Sequence, residues 1–216
     1  VAGDFHDILP SEGGCWMPIG DVAGHGLPAG LVMTMLQSIV AATTFVRPTD
    51  SAVEVWTAVN ALLFNNIRER LRQDEHVTLT LLRYERNGRV VFAGAHEDLI
   101  VFRQKTGRCE IIPTVGVWAG IKREHARGAA VQNELVLDAG DVLLLYSDGV
   151  TEAMNADQQA FGLERVAHEL VDEGRLSVDA IRDRILESVQ RWQVRQTDDV
   201  TLLVARYLPL RDTRRA

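Results

Sequence analysis

An α+β fold of stacked antiparallel sheets with helices outside is what this sequence predicts, and three observations predict it. Two helical stretches come early and two come late, with a long run between them in which apolar residues recur at a period of two. The strands in that run are spaced for hairpins, which implies antiparallel pairing rather than a parallel Rossmann-type sheet. A last apolar stretch, Val200–Tyr207, follows the final helix and supplies a closing strand. Each helix pair can then cover one sheet.

The elements follow in order. Residues Ala2–Leu9 and Gly14–Val22 read as two strands joined by Pro10-Ser11-Glu12-Gly13, a turn composition. Pro28 suits the first turn of a helix, where its missing N–H is no loss. Leu31, Met35, Ile39 and Ala42 continue that helix at three- and four-residue spacing. Ser51-Ala52-Val53-Glu54 is a capping box that starts a second helix, with Val55, Val59, Leu63, Ile67 and Leu71 as its buried stripe. Its other side, with Arg68, Arg70 and Arg72, reads as a solvated face. From Val77 the period changes to two, and Asn87-Gly88 makes a tight hairpin. Further strands are expected at Val90–Ala93, Leu99–Arg103, Cys109–Pro113, Glu134–Leu137 and Asp141–Ser147. Helices are expected at Leu163–Asp172 and from Ser177 to Val194, the latter with Val178, Ile181, Ile185, Val189 and Trp192 on one face.

At 216 residues, 46% hydrophobic and 25% charged, the chain reads as one globular domain over 1–208 with a loose tail at 209–216. A formal charge of −7 argues against nucleic acid as the partner, because phosphate-backbone binding needs a basic face. Cys15 and Cys109 have no metal-ligand spacing and cannot staple a chain of this size, so reduced thiols in a cytoplasmic protein are the expectation. No uninterrupted apolar run reaches the roughly 18 residues that cross a bilayer, so the chain is not expected to span a membrane. It starts without a methionine and almost at once inside a motif, so an upstream sensor or linker is expected.

Gly20-Asp21-Val22-Ala23-Gly24-His25-Gly26-Leu27-Pro28-Ala29-Gly30 is the most informative stretch. It places a lone carboxylate at the end of an apolar strand, before a glycine-rich turn and a helix. Three other places share that character: Gly3-Asp4-Phe5-His6-Asp7, Ser147-Asp148-Gly149 and Asp198-Asp199. One Asp-Gly at a strand end is an ordinary turn. Four carboxylates at the mouths of buried strands are different, because they repel one another unless a cation neutralises them. Oxygen-only ligation of that kind suits Mg²⁺ or Mn²⁺.

These four segments, with Phe161-Gly162 and the residues that extend them (Tyr146 to Ala153, Asp198 to Leu203), occur in order over essentially the whole chain. Together they resemble the metal-dependent serine/threonine protein phosphatases, in the bacterial branch typified by the sporulation stage II protein E phosphatase and the stress-response regulators of sigma factors. The resemblance implies a four-layer αββα sandwich, two antiparallel sheets flanked by helix pairs, with two Mn²⁺ or Mg²⁺ ions at one edge. It implies that Asp21 bridges both ions beside the Val22 carbonyl, that Asp148 and Asp198 share one ion with Asp21, and that Asp4 serves the other. Asp199 stands where the family often has Asn and is the weaker candidate. His25, which the glycine turn could present at a position where the branch often has Lys, is the candidate proton donor to the leaving serine oxygen. The implied substrate is a phosphorylated anti-anti-sigma factor of the STAS type, with an upstream module or a homodimer contact as regulator.

The chain departs from the branch in places. His6 replaces an aromatic residue; two positions past Asp4, it shares a strand face with it and is read as a hydrogen-bonded structural histidine. His96, in Ala95-His96-Glu97-Asp98, replaces the usual Gly-His-Pro-Pro and is read as shaping a loop. The phosphate-binding arginine of eukaryotic relatives has no counterpart. Two other functions compete: a binding module that keeps the fold without catalysis, against which all four acidic positions speak, and a small-molecule phosphoesterase, for which no phosphate-cradling or base-stacking motif is present.

Overall fold

The structure is a computed structural model that describes residues 3–123 and 130–209. Its elements are β1 (Asp4–His6), β2 (Leu9–Ser11), β3 (Gly14–Val22), α1 (Leu27–Val46), α2 (Ala52–Phe64), a π-helical segment (Asn65–Leu71), β4 (Val77–Glu85), β5 (Arg89–Ala95), β6 (Leu99–Arg103), β7 (Arg108–Ile112), β8 (Asn133–Val136), β9 (Val142–Tyr146), the one-turn α3 (Asp148–Thr151), α4 (Leu163–Glu173), α5 (Val178–Trp192) and β10 (Leu202–Arg206). The first sheet runs β1-β3-β4-β5-β8, with β2 also on β3, and the second runs β10-β9-β6-β7. Every pairing is antiparallel.

Three apolar layers hold the sandwich. Val32, Leu36 and Val40 of α1 and Val55, Trp56, Val59 and Leu63 of α2 pack on Trp16, Leu79, Leu81 and Ala93 of the first sheet. Val166, Leu170, Ile181, Ile185 and Val189 of α4 and α5 pack on Ile100, Phe102, Val142 and Leu144 of the second. Between the sheets, Met17, Ile19, Leu82, Phe92, Val101, Leu143 and Leu145 interdigitate. Alternation puts successive residues of one strand into different layers, which is why β9 reads as a continuous apolar run: it is buried on both faces.

Several sequence expectations change. The first strand is broken: the Asp7 N–H bonds the Pro18 carbonyl at 3.2 Å, and the Asp7 carboxylate accepts from the Ile8 N–H at 2.8 Å. Pro10 and Ser11, expected in the turn, pair with Cys15 and Gly14. In α1 the buried stripe is Ala29, Val32, Leu36 and Val40, whereas Leu31 is 46% exposed. This helix is apolar nearly all round, so periodicity offers more than one stripe and the sheet selects between them. By length and composition its 20 residues suffice to cross a membrane, although it serves here as one of the helices layered on the first sheet. Leu71, expected in the α2 stripe, is 38% exposed, because the π-helical turns from Asn65 break the 3.6-residue phase. Arg68 is not a solvated face: its guanidinium donates to the Gly120 carbonyl at 3.2 Å and to Gln73 and Asp74. The tail from 210 lies outside the described residues.

Candidate metal centre

Register brings the first two carboxylates together. Asp4 pairs with Asp21 across β1 and β3, at the end of the first sheet where Val22 pairs with Val77. The Val22 N–H bonds the Gly3 carbonyl at 3.2 Å. The other carboxylates come from the second sheet. Asp148 opens α3 directly after β9, and Asp198 lies in the loop entering β10, beside β9. Gly149 makes that approach possible: a Cβ there would lie 1.9 Å from the Asp199 carbonyl. Ser147 locks the same junction, its N–H bonding the Thr201 carbonyl at 3.1 Å and its hydroxyl accepting from the Thr201 N–H at 3.0 Å. Thr201 then ties the two sheets together, its hydroxyl donating to Asp4 Oδ2 at 2.6 Å.

The electrostatics are those of a cluster of partly buried acids. Burial first, then the charges of Asp4, Asp148 and Asp198, push Asp21 up to about 7. Burial raises Asp4, with Asp199 and Asp148 adding to it, against the hydrogen bonds from Thr201 and Ser147 that lower it. Burial and then Asp198 raise Asp148, against backbone hydrogen bonds. Thus Asp198 acts on Asp21 and Asp148, while Asp199 acts on Asp4. Among the described residues no three His, Cys, Asp or Glu side chains stand close enough to hold an ion as they are. The carboxylates converge without closing.

The donor set nevertheless fits a hard divalent cation. The four carboxylates and the Val22 carbonyl offer oxygen only. Gly3 leaves a space between two of those oxygens, because a Cβ there would lie 2.6 Å from Asp21 Oδ1 and 2.7 Å from the Val22 carbonyl oxygen. That space is flanked by a carboxylate and a carbonyl, those of Asp21 and Val22, the two groups that the family resemblance names as neighbouring ligands.

The histidines divide. His25 is exposed and lines an open depression of about 450 Å³ with Gln196, Thr197, Asp198 and Asp199. His6 lies elsewhere, in a groove with Val178, Asp179 and Arg182 of α5. His96 is structural: Nδ1 is 2.9 Å from the Thr78 hydroxyl and Nε2 is 3.1 Å from the Tyr146 carbonyl, bridging the sheets. Burial pulls it down to about 4, so it is neutral at pH 7.

Residues 11–208 match the model of the family described as Stage II sporulation protein E (SpoIIE). The chain belongs to that family. It is 25% identical over 215 residues to the phosphoserine phosphatase RsbU of Bacillus subtilis (strain 168), covering 95% of this chain and 59% of RsbU. It therefore spans about three-fifths of that relative's length. The fold is also that of solved structures. The SiaA-PP2C domain of Pseudomonas aeruginosa superposes with a TM-score of 0.78 at 22% identity, over 96% of this chain and 81% of that one. The RsbU and RsbW domains of Rv1364c from Mycobacterium tuberculosis give a TM-score of 0.80 at 21% identity, over 97% and 56%.

Sequence reading missed three groups here. Glu97 is pushed up to about 7 by burial, then by Asp148, Asp98 and Glu152. Its signal was the acidic pair after His96. Ser147 and Thr201 hold the junction, and their only signal was position, each next to an acidic motif. The stacked pair His76 and Trp118, with ring centroids 4.8 Å apart, left no local signal.

Proposed function

We propose that this chain is a metal-dependent phosphoserine/phosphothreonine protein phosphatase. One observation carries the reading: Asp4, Asp21, Asp148 and Asp198 come from four separated segments to one edge, and the charges that act on Asp4, Asp21 and Asp148 are all negative. Folding keeps such repulsion only where something outside the chain relieves it.

Asp21, with the Val22 carbonyl, would be shared by two Mn²⁺ or Mg²⁺ ions, Asp148 and Asp198 would complete one ion's set, and Asp4 would serve the other. When bound, such ions supply an acidified water as nucleophile and positive charge for the phosphoryl oxygens. The chain's own residues do the rest. Thr201 orients Asp4, and Ser147 fixes the loop that carries Asp198. His25, exposed on the depression that Asp198 also lines, would protonate the leaving serine oxygen. Kinship with RsbU supports a phosphorylated STAS-type anti-anti-sigma protein as substrate, with an upstream module or homodimer contact as regulator. The free thiols of Cys15 and Cys109 fit a cytoplasmic setting.

The test is turnover of a phosphoserine peptide, a nucleotide and p-nitrophenyl phosphate during a Mn²⁺ titration and with a chelator. Metal-dependent hydrolysis that includes the peptide is expected. Equal turnover in chelator overturns the mechanism, and hydrolysis confined to the nucleotide points to a small-molecule phosphoesterase.

A further inference from the structure

Between β7 and β8 the chain crosses the same end of the first sheet that carries Asp21. Its backbone there is fastened from inside. The Thr114 hydroxyl donates to the His96 carbonyl at 2.6 Å, and Ala119 and Val77 exchange backbone hydrogen bonds of 2.8 and 3.0 Å. The side chain of Asn60, from α2, accepts from the Gly120 N–H at 2.9 Å and donates to the Lys122 carbonyl at 2.9 Å. Ala119 is fully buried, yet three apolar neighbours face outward: Val115 is 60% exposed, Trp118 48% and Ile121 39%. A loose loop would turn such side chains inward. This one cannot, because its backbone bonds fix which way they point.

Trp118 is also held in orientation, stacked on His76 at 4.8 Å with 13° between the rings. The His76 carbonyl accepts from the Ala23 N–H at 2.9 Å, and Ala23 directly follows Val22. The aromatic platform is thus continuous with the backbone beside the acidic edge. Lys122 and Arg123 stand exposed on the same loop, Arg123 within 3.9 Å of Glu69, and the Lys122 ammonium complements an approaching phosphorylated, negatively charged segment.

We propose that Trp118, with Val115 and Ile121, is the docking surface for the polypeptide that flanks the phosphorylated residue, and that it takes an apolar side chain of the substrate. This inference rests on the phosphatase reading and adds a source of substrate selectivity to it. A pre-oriented aromatic ring loses little freedom when a partner covers it, which is what makes such residues binding anchors.

The experiment uses short phosphoserine peptides in which one leucine is walked through the positions either side of phosphoserine on a serine–glycine background. In the wild-type protein at least one position should raise kcat/KM by ~10-fold over the leucine-free peptide. Trp118→Ala should bring that ratio to about 1 through KM, with Trp118→Phe retaining most of the preference. A flat leucine profile in the wild type, or a preference that survives Trp118→Ala, overturns the proposal. Turnover of p-nitrophenyl phosphate by the wild type with Mn²⁺ separates the two failures. Where it is present and the profile is flat, only the docking surface falls; where it is absent, the phosphatase reading falls and this one with it.

Discussion

β9 has a buried or half-buried carboxylate beyond each of its ends, and the two are held in opposite ways. Asp141, before Val142, is fully buried and accepts from the Arg103 guanidinium at 2.8 Å and from the Gln104 and Asp138 N–H groups at 3.0 Å each. Asp148, after Tyr146, is half-buried, and the charge acting most on it is that of Asp198. One end of the strand thus brings its own cation and closes. The other gathers acids, and among the described residues no Lys or Arg is paired with them. Burial alone does not distinguish a structural carboxylate from a ligand; the sign of its neighbours does.

The largest expected effect lies at the open end. Asp21→Ala should lower metal-dependent turnover by ~10³-fold or more, about 4 kcal/mol of transition-state stabilisation. In the same experiment the metal-free Asp21→Asn protein should denature at higher urea than the metal-free wild type, because a repelled carboxylate has gone. A drop in its midpoint would show that Asp21 is structural after all and would break the contrast.

Asp141→Ala should do the reverse. Loss of the buried partner of Arg103 should cost about 3 kcal/mol of stability, read as a lower urea midpoint. Mn²⁺ affinity of the folded fraction should stay as in the wild type. A weakened Mn²⁺ affinity would mean that the two ends of β9 are coupled.

His96, which bridges the sheets, sharpens the comparison through pH. Its folded pKa of about 4 lies below the ordinary histidine value of 6.5, so the unfolded chain binds the proton more readily. Stability therefore falls as pH drops from 6.5 towards 4, by at most about 3 kcal/mol. Asp21 works the other way in the metal-free protein: its folded pKa is raised, so its contribution to stability falls as pH rises towards 7. Subtracting the urea stabilities of His96→Gln from those of the wild type at each pH isolates the histidine. A difference that does not shrink on acidification would mean that His96 is not held neutral by the fold.

The smallest effect expected is at Thr201, the hydroxyl that donates to Asp4 at 2.6 Å. Thr201→Val should weaken Mn²⁺ binding by ~10-fold, the usual order for losing a partner that orients a ligand. Isothermal titration in the folded variant reads this, and unchanged affinity would leave Asp4 oriented by its strand alone.

Much of this was legible because it is local. The Ser51–Glu54 capping box, the Asn87-Gly88 hairpin and the four Asp-bearing strand ends each need only a few consecutive residues, and the structure shows the box closed with the Ser51 N–H donating to Glu54 at 2.8 Å. The buried side of α1 was not legible. Leu31 and Val32 are equally apolar, and only the surface of the first sheet decides which of them is covered. Leu71 was misread for a related reason, since a π-helical register follows from how a helix end is anchored and leaves little trace in composition.

By itself the sequence determined which groups are acids and which strands they terminate, because strand periodicity and turn chemistry act over a few residues. It determined the two-sheet class in the same way. Only the tertiary structure decided that Thr201 reaches Asp4, 197 residues away in the chain, that Glu97 joins the field of Asp148, and that Trp118 stacks on His76, whose carbonyl bonds the Ala23 N–H. Those neighbours depend on strand order and sheet stacking, which set distances between residues that no local pattern relates.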